Sequence, residues 1–579
     1  MLSPCIVRLT IERFRGIQAL TWLPADGVNL ILGGGDAGKT TILEAVALLL
    51  APTNAASLSD ADYFARTLAD GFKIEAVISL PPALAAAQTI KPAWQWEWKN
   101  DAVVVPTIGE EGLPGELVYM LRVTGTPDLE LLYEIVQPNG DCDHLSVALR
   151  RAIGTIRLSG DSRNDRDLRL VQGSALDRLL SDRGLRSRMG NKLAQTDVEA
   201  ELQPEARTAL EELDVAFKAK ALPHDLDLAF TGAQGVAITA LIGLTADQRG
   251  VQLPLSNWGS GTRRLSALAI AEKNQNDHSI TLVDEVERGL EPYRQRALVE
   301  KLQTGDAQAF ITTHSTSAVS AATSSALWYL DHAGAIGRLD GAKIAAHQVR
   351  EPEAFLSRFT IIAEGATEVG FLSALLRKAL GTTLSAQGII VSDGSGHETS
   401  LNLLEALSIG GLKFGGFVDN EAGRHPERWQ RVRERLSNLL FRWQAGCLEE
   451  NFIPQVPADR LEELIAHPED GPGNRFRTLA VRLSMADKEF VAIQAAAGER
   501  LVPLIIEAAT GTVPAGQEGE RKTYKNHAAT WFKSVEGGEE IAAKMFAMGL
   551  WPHFRPALMP FLNAVRGAVG LANIDDLPP

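Results

Sequence analysis

The chain reads as an α/β protein with two parallel-sheet modules in series. Three observations predict this. A glycine-rich loop lies between an apolar strand and a helix within residues 28–50. A second apolar strand near residue 280 ends in Asp-Glu. After residue 359, strands and helices alternate, with carboxylates where the strands stop.

The chain has 579 residues, 45% apolar and 22% charged, ordinary globular composition and enough for about two to four domains. Cys5, Cys142 and Cys447 lie far apart and form no CxxC pair, which argues against a zinc ribbon or a disulfide scaffold and fits a reducing cytoplasm. The first residues, MLSPCIVRLTIERF, carry charges and lack the apolar core of a signal peptide. No run approaches the roughly 18 apolar residues of a membrane span, so neither export nor membrane insertion is expected. The formal charge of −15 speaks against nucleic acid only if basic residues are evenly spread. They are not: Arg150, Arg151, Arg157, Arg163, Arg166, Arg169, Arg178, Arg183, Arg186, Arg188 and Lys192 face five Asp within 150–192, and Arg521, Lys522, Lys525 and Lys533 form a smaller group. Such runs are also what solvated helix faces or a subunit interface would show.

The elements follow in order. Residues 6–14 alternate as a strand, Arg15-Gly16-Ile17 turns it, and residues 28–32 are a short buried-type run. Next comes Gly33-Gly34-Gly35-Asp36-Ala37-Gly38-Lys39-Thr40-Thr41 and a helical ILEAVALLL, which is GxxxxGK[ST] with strand before and helix after. Glycines let backbone N–H groups wrap phosphates, and the helix N-terminus adds its positive end. Lys39 is the candidate for the β and γ phosphates, and Thr40 for Mg²⁺.

Some 245 residues later, Ser279–Glu285 is a β-branched strand ending in Asp284, a candidate for the Mg²⁺ shell, and Glu285, a candidate to polarise water. Before it lies a Ser/Gly loop with Ser256, Gly259 and Gly261, opening onto the helix RRLSALAIAEK. After it, a strand ends at His314, a candidate γ-phosphate sensor. These four elements, in this order, resemble the ABC/SMC class of ATPase: Walker A, signature, Walker B and switch histidine. The resemblance implies ATP binding between two heads, hence a homodimer or higher homo-oligomer. Gly289–Pro292 stands at the D-loop position, and Asp62 at that of a lid loop. Residues 145–235 carry no sustained heptad, which excludes a long coiled-coil arm. Asp197–Lys220 reads as amphipathic helices of a dimerisation insert. A transporter is disfavoured by the lack of membrane spans. The expected organisation is 1–150, ATPase N-terminal half; 151–235, helical insert; 236–350, ATPase C-terminal half; and 351–579, a second α/β module with added helices.

That module opens with strand 359–363, a turn bearing Glu364, and a helix with Glu368 in its first turn. A second strand ends at Asp393, and a third ends in Asp419-Asn420-Glu421. Parallel sheets collect ligands at the carboxyl ends of their strands, so Glu364, Asp419 and Glu421 would share a rim. Carboxylates without histidine or cysteine favour Mg²⁺ or Mn²⁺, and two such ions suit in-line attack on phosphate. The pattern resembles a TOPRIM domain, with Glu421 in place of the usual second Asp. An ABC head followed by TOPRIM on one chain resembles the OLD (overcoming lysogenization defect) family of nucleases, which includes the Gabija A anti-phage subunits. That resemblance implies ATP and a two-metal site, double-stranded DNA as substrate, and a distal lysine, for which Lys533 is preferred over Lys522 and Lys525. A UvrD-like helicase partner is a possibility of the same resemblance. A further acid is expected from Glu449-Glu450, of which Glu450 is the candidate ligand. A topoisomerase would need a nucleophilic tyrosine, yet only Tyr524 follows the acidic strand ends. A primase would need a zinc ribbon. The remaining rival is an ATP-gated DNA clamp or sensor acting through a partner protein.

Overall fold

The computed structural model describes residues 3–158, 166–169, 171, 174–180 and 243–578, less 55–56, 86–90, 107–114, 275–278, 332, 340, 408–411, 421–422, 467–473 and 515; between 181 and 242 only isolated positions are described. Most of the expected helical insert lies outside these residues, as do Arg163, Arg183, Arg186 and Lys192 of the basic run, and Glu421. The chain divides into two units, Met1–Arg15 with Leu43–Gln295 and Thr304–Ile311, and Gly16–Ile42 with Arg296–Gln303 and Thr312–Pro579. Both mix strands and helices, as the α/β class requires.

In the first unit, Cys5–Phe14 pairs antiparallel with Phe72–Ser79, which pairs with Glu116–Gly125. Strand Gln95–Lys99 and strand Leu131–Val136 both also pair with Glu116–Gly125. Val7, Leu9 and Ile11 bury one face of the first strand while Arg8, Thr10 and Glu12 stay partly exposed, the period-two pattern of a sheet with one covered face. On the partly exposed face, Glu75 accepts from Arg122 at 2.8 Å, and Arg8 lies 3.7 Å away, charge pairing across three strands. A second set in this unit is parallel: Thr155–Leu158 beside Ile280–Val283, and that beside Ala309–Ile311. All four residues Ile280–Val283 are buried, as expected of a strand covered on both faces.

In the second unit, Val28–Gly33 runs parallel to Ala326–Leu330, whose other edge carries Ile336–Arg338 antiparallel. The rest of this unit holds a four-stranded, wholly parallel sheet in the order Ile389–Asp393, Phe359–Ala363, Phe414–Val418, Leu440–Arg442. Helices Ala366–Leu380 and His397–Leu407 follow its first two strands in sequence, the β-α-β-α-β alternation expected from the sequence. Phe417 stacks on Phe441 with ring centroids 4.7 Å apart and meets Phe561 of the long C-terminal helix Trp551–Ala568, so the added helices share this sheet's core. All four strands stop at the same edge, which places the carboxylates that follow them.

Candidate functional site

The glycine-rich loop has the backbone its glycines predict. Gly33 and Gly38 have φ of 146° and 100°, and a Cβ on Gly33 would overlap the carbonyl oxygen of Leu330 on the neighbouring strand. Asp36 also adopts positive φ, at 58°, and Gly35 is exposed at the loop tip. Lys39 opens helix Lys39–Leu49, and its buried ammonium donates to the carbonyls of Gly33 and Gly34 at 2.9 and 2.7 Å. Thr40 beside it is exposed and Thr41 half-buried.

In the first unit, Asp284 directly follows its strand and Glu285 is exposed with φ of 48°. Glu285 lies 3.8 Å from Arg288. Ser256 sits in a short turn, Leu255–Asn257, and Gly259 precedes helix Ser260–Asn274. A Cβ on Gly261 would overlap the Gly289 carbonyl, which explains glycine there: the helix start lies directly against the turn after the acidic strand. Arg264, which no sequence motif marks, ties that junction together. Its buried guanidinium donates to the backbone carbonyls of Asp284, Glu285 and Arg288 at 2.6, 2.8 and 2.8 Å. Burial pulls its pKa below the usual arginine range, while Asp284 and Glu287 push the other way. Asp62 is engaged by Arg15 at 3.0 Å and caps its own short helix. His314, in the second unit, lies two residues beyond strand Ala309–Thr312 and is exposed.

The acids of the parallel sheet converge. Glu364 follows Phe359–Ala363, Asp419 follows the adjacent Phe414–Val418, and the Asp419 N–H donates to Oε2 of Glu364 at 3.0 Å. Glu368 and Glu449 complete a buried group of four. Burial and the charges of Glu449 and Glu364 push the Glu368 carboxyl up to about 8, with Lys533 opposing. Burial, then Glu368, Glu364 and Glu449, push Asp419 up to about 10. Oε1 of Glu368, Oδ1 of Asp419 and Oε2 of Glu449 are buried without a hydrogen-bond partner. Orphaned carboxylate oxygens of this kind are what a hard divalent cation satisfies, so the donor set fits Mg²⁺ or Mn²⁺. Among the described residues no three acidic, histidine or cysteine side chains already stand close enough to enclose an ion.

Glu449, not Glu450, faces this group. The two start the five-residue helix Leu448–Phe452, where neighbours point about 100° apart. Glu450 is turned outward and caps the helix, accepting from the Cys447 N–H at 2.9 Å. Glu450, expected as a candidate ligand, therefore faces away from the group, and Glu449 stands in its place.

Lys533 stands beside the acids, its Nζ 2.7 Å from Glu449 Oε1, whereas Lys522 and Lys525 are exposed on helix Arg521–Ala529. Burial alone would depress the Lys533 pKa, but Glu449 and Glu368 outweigh it and raise it. What brings a lysine from residue 533 here is a close crossing of helices Ala366–Leu380 and Val535–Ala547. A Cβ on Gly370 would overlap the Val535 carbonyl, and one on Gly538 would overlap the Thr367 carbonyl. Thr367 Oγ1 donates to the Phe532 carbonyl at 2.8 Å, and buried Arg475 donates to the Thr530 carbonyl at 3.0 Å and pairs with Glu540 at 2.7 Å. The lysine-bearing turn is thus tied down on both sides.

The basic run reads differently in the fold. Arg150 is fully buried, its guanidinium 3.7 Å from the Tyr133 ring centroid and donating to the Ala51 carbonyl, and Arg157 pairs with Glu44. These two are structural and belong to no solvent-facing basic strip.

The described residues form an α/β fold, with the glycine-rich loop between strand Val28–Gly33 and helix Lys39–Leu49. Residues 126–320, which include Ser256, Asp284, Glu285 and His314 but not the phosphate loop, match the family described as "AAA domain, putative AbiEii toxin, Type IV TA system". A 44-residue stretch is 52% identical to the DNA replication and repair protein RecF of Shewanella baltica, 8% of this chain and 12% of that protein. The chain thus spans about an eighth of the length of the curated relatives it matches. Among solved structures, the recombination mediator protein RecF with ATP aligns at 14% identity and a TM-score of 0.32, covering 58% of this chain and 98% of that one. An Smc head domain bound to the C-terminal domain of ScpA, from Pyrococcus furiosus, aligns at 14% identity and 0.32, covering 60% and 100%. Among the described residues no helix is long and apolar enough to cross a membrane.

Proposed function

We propose that this protein is an ATP-binding and ATP-hydrolysing, divalent-metal-dependent DNA endonuclease of the OLD type, with a TOPRIM site in its C-terminal module. The observation that carries this reading is the buried group Glu364, Glu368, Asp419 and Glu449, with partnerless oxygens on three of them and Lys533 alongside. Those four, with Glu421, would hold the ions. Divalent cations held there would supply polarisation of a phosphodiester and a more acidic water. Lys533 supplies positive charge to the phosphoryl oxygens as negative charge develops on them. Lys39, Thr40 and Asp284 are the proposed ATP and Mg²⁺ ligands, Glu285 the group that orients water, His314 the γ-phosphate sensor, and Ser256, Gly259 and Gly261 the signature presented to a second head of a homodimer. A cytoplasmic role in anti-phage defence, with or without a UvrD-like helicase, follows from the same family resemblance.

The test is supercoiled plasmid with Mg²⁺ or Mn²⁺, with and without ATP. Nicked or linear product is expected from the wild type and none from Glu364→Ala, while Lys39→Ala should lose ATP binding and keep its metal. Cleavage undiminished in Glu364→Ala would reject the site. The local match to RecF, a replication and repair protein, favours a second reading, an ATP-gated DNA clamp; ATP-dependent DNA retention with intact plasmid would select it.

A further inference from the structure

The acidic group has a support that lies in none of the motifs. Helix His397–Leu407 starts at His397, which is buried, and helix Pro426–Leu436 contributes buried Trp429. The Trp429 Nε1–H donates to Nε2 of His397 at 3.3 Å, with ring centroids 5.4 Å apart. An indole nitrogen only donates, so Nε2 must offer its lone pair, and the proton of a neutral imidazole then sits on Nδ1. Nδ1 is buried without a hydrogen-bond partner and faces Oε2 of Glu364 at 3.6 Å, just beyond bonding length. Catalytic-site hydrogen bonds are commonly long in the unliganded protein and tighten when the ligand binds.

The backbone that carries the opposite carboxylate is tied to the same tryptophan. The Arg442 guanidinium stacks 4.8 Å from the Trp429 ring centroid and donates to Asn420 Oδ1 at 2.5 Å and to the Asp419 carbonyl at 3.3 Å. With the Asp419 N–H on Glu364 Oε2, the contacts close a ring: Glu364, His397, Trp429, Arg442, Asp419 and back to Glu364. Turn 393–396 adds a strap, since the Gly396 N–H donates to the Glu364 carbonyl at 2.7 Å.

We propose that His397 is a positioning residue for the cation site, held by Trp429 as the Nδ1–H tautomer so that its proton is directed at Glu364. The proposal rests on the metal-site reading above. The Asp419 N–H already holds Oε2 of Glu364, and the Nδ1–H of His397 stands 3.6 Å away, placed to become a second donor when the site tightens on its ligand. Supports of this kind typically change metal affinity by about 10- to 100-fold.

The experiment combines Mn²⁺ titration by electron paramagnetic resonance with nitrogen-15 spectra of histidine-labelled full-length protein, metal-free. His397→Ala and Trp429→Phe should each weaken Mn²⁺ binding about tenfold. His397→Asn, whose amide N–H reaches the place of Nδ1, should stay close to wild type. The metal-free spectrum should show His397 protonated on Nδ1 and switched in Trp429→Phe, where the aromatic ring under Arg442 is kept. Mn²⁺ affinity equal to wild type in both His397→Ala and Trp429→Phe would overturn the proposal, as would an Nε2–H signal from His397 in the metal-free wild type. A merely structural histidine would lower thermal stability in chelator without separating Asn from Ala. A wild type that binds no Mn²⁺ would sink the metal reading and the positioning role with it, while the spectrum would still report the His397 tautomer.

Discussion

The Asp419 N–H donates to Oε2 of Glu364 at 3.0 Å, across two parallel strands held in register by Ala363 and Phe417. That one bond sets two carboxylates at a common rim, and Glu368 and Glu449 crowd the same space. Such crowding has consequences for stability, metal affinity and pH that can each be measured.

Glu368 and Asp419 are pushed up to about 8 and about 10, by burial first and by neighbouring acids second. The folded protein therefore keeps protons that the unfolded chain releases from about pH 4.5 upward, and stability in chelator should fall as pH rises towards about 8 and beyond. Excess Mn²⁺ should flatten the fall by compensating the charges. Melting temperatures from about pH 5 to about pH 9, with chelator and with Mn²⁺, check the sign.

Glu449 is fully buried and contributes to the repulsion on both neighbours. Glu449→Gln should leave the metal-free protein at least as stable as wild type, yet weaken Mn²⁺ binding about tenfold or more. Lys533→Met should do the opposite to stability and lower it, because it leaves the buried Glu449 carboxylate without its partner at 2.7 Å. Urea denaturation in chelator separates the two.

A glycine in a helix interior normally gains about 1 kcal/mol on change to alanine. At Gly538 the added methyl would overlap the Thr367 carbonyl, so Gly538→Ala should instead destabilise by about 1–3 kcal/mol and reduce Mn²⁺-dependent stabilisation through displacement of the Lys533 turn. Thermal shift with and without Mn²⁺ reads both effects.

How much of this was legible in the sequence depended on whether the signal was local. The strand-turn-helix around Glu364 and Glu368, and the strand before Asp419, show as apolar runs that stop at a carboxylate, and parallel sheets gather such ends. Choosing Glu449 over Glu450 needed the orientation of a five-residue helix, which no periodicity reveals. Arg150 looked like surface charge because a lone arginine carries no sign of the Tyr133 ring that buries it. His397, Trp429 and Arg264 are isolated residues whose roles exist only through partners 32, 32 and about 20 positions away. The Gly370 and Gly538 pairing was likewise invisible, since each glycine alone reads only as a weak helix position.

Arg264 satisfies three carbonyls of the turn that holds Glu285 at positive φ. Arg264→Gln should leave carbonyls unpaired, lower stability by about 2 kcal/mol or more, and reduce ATP turnover at least about tenfold. Binding of a fluorescent ATP analogue should persist, because the phosphate loop is untouched. Equal loss of binding and turnover would assign Arg264 to general folding.

Whether these acids seat divalent ions together decides what the C-terminal module does. The most direct measurement is Mn²⁺ uptake by nucleotide-free, full-length protein followed by electron paramagnetic resonance, wild type beside Glu364→Ala and Asp419→Asn. Saturable uptake that falls sharply in both variants is the predicted result; no uptake by the wild type, or equal uptake in all three, would contradict it.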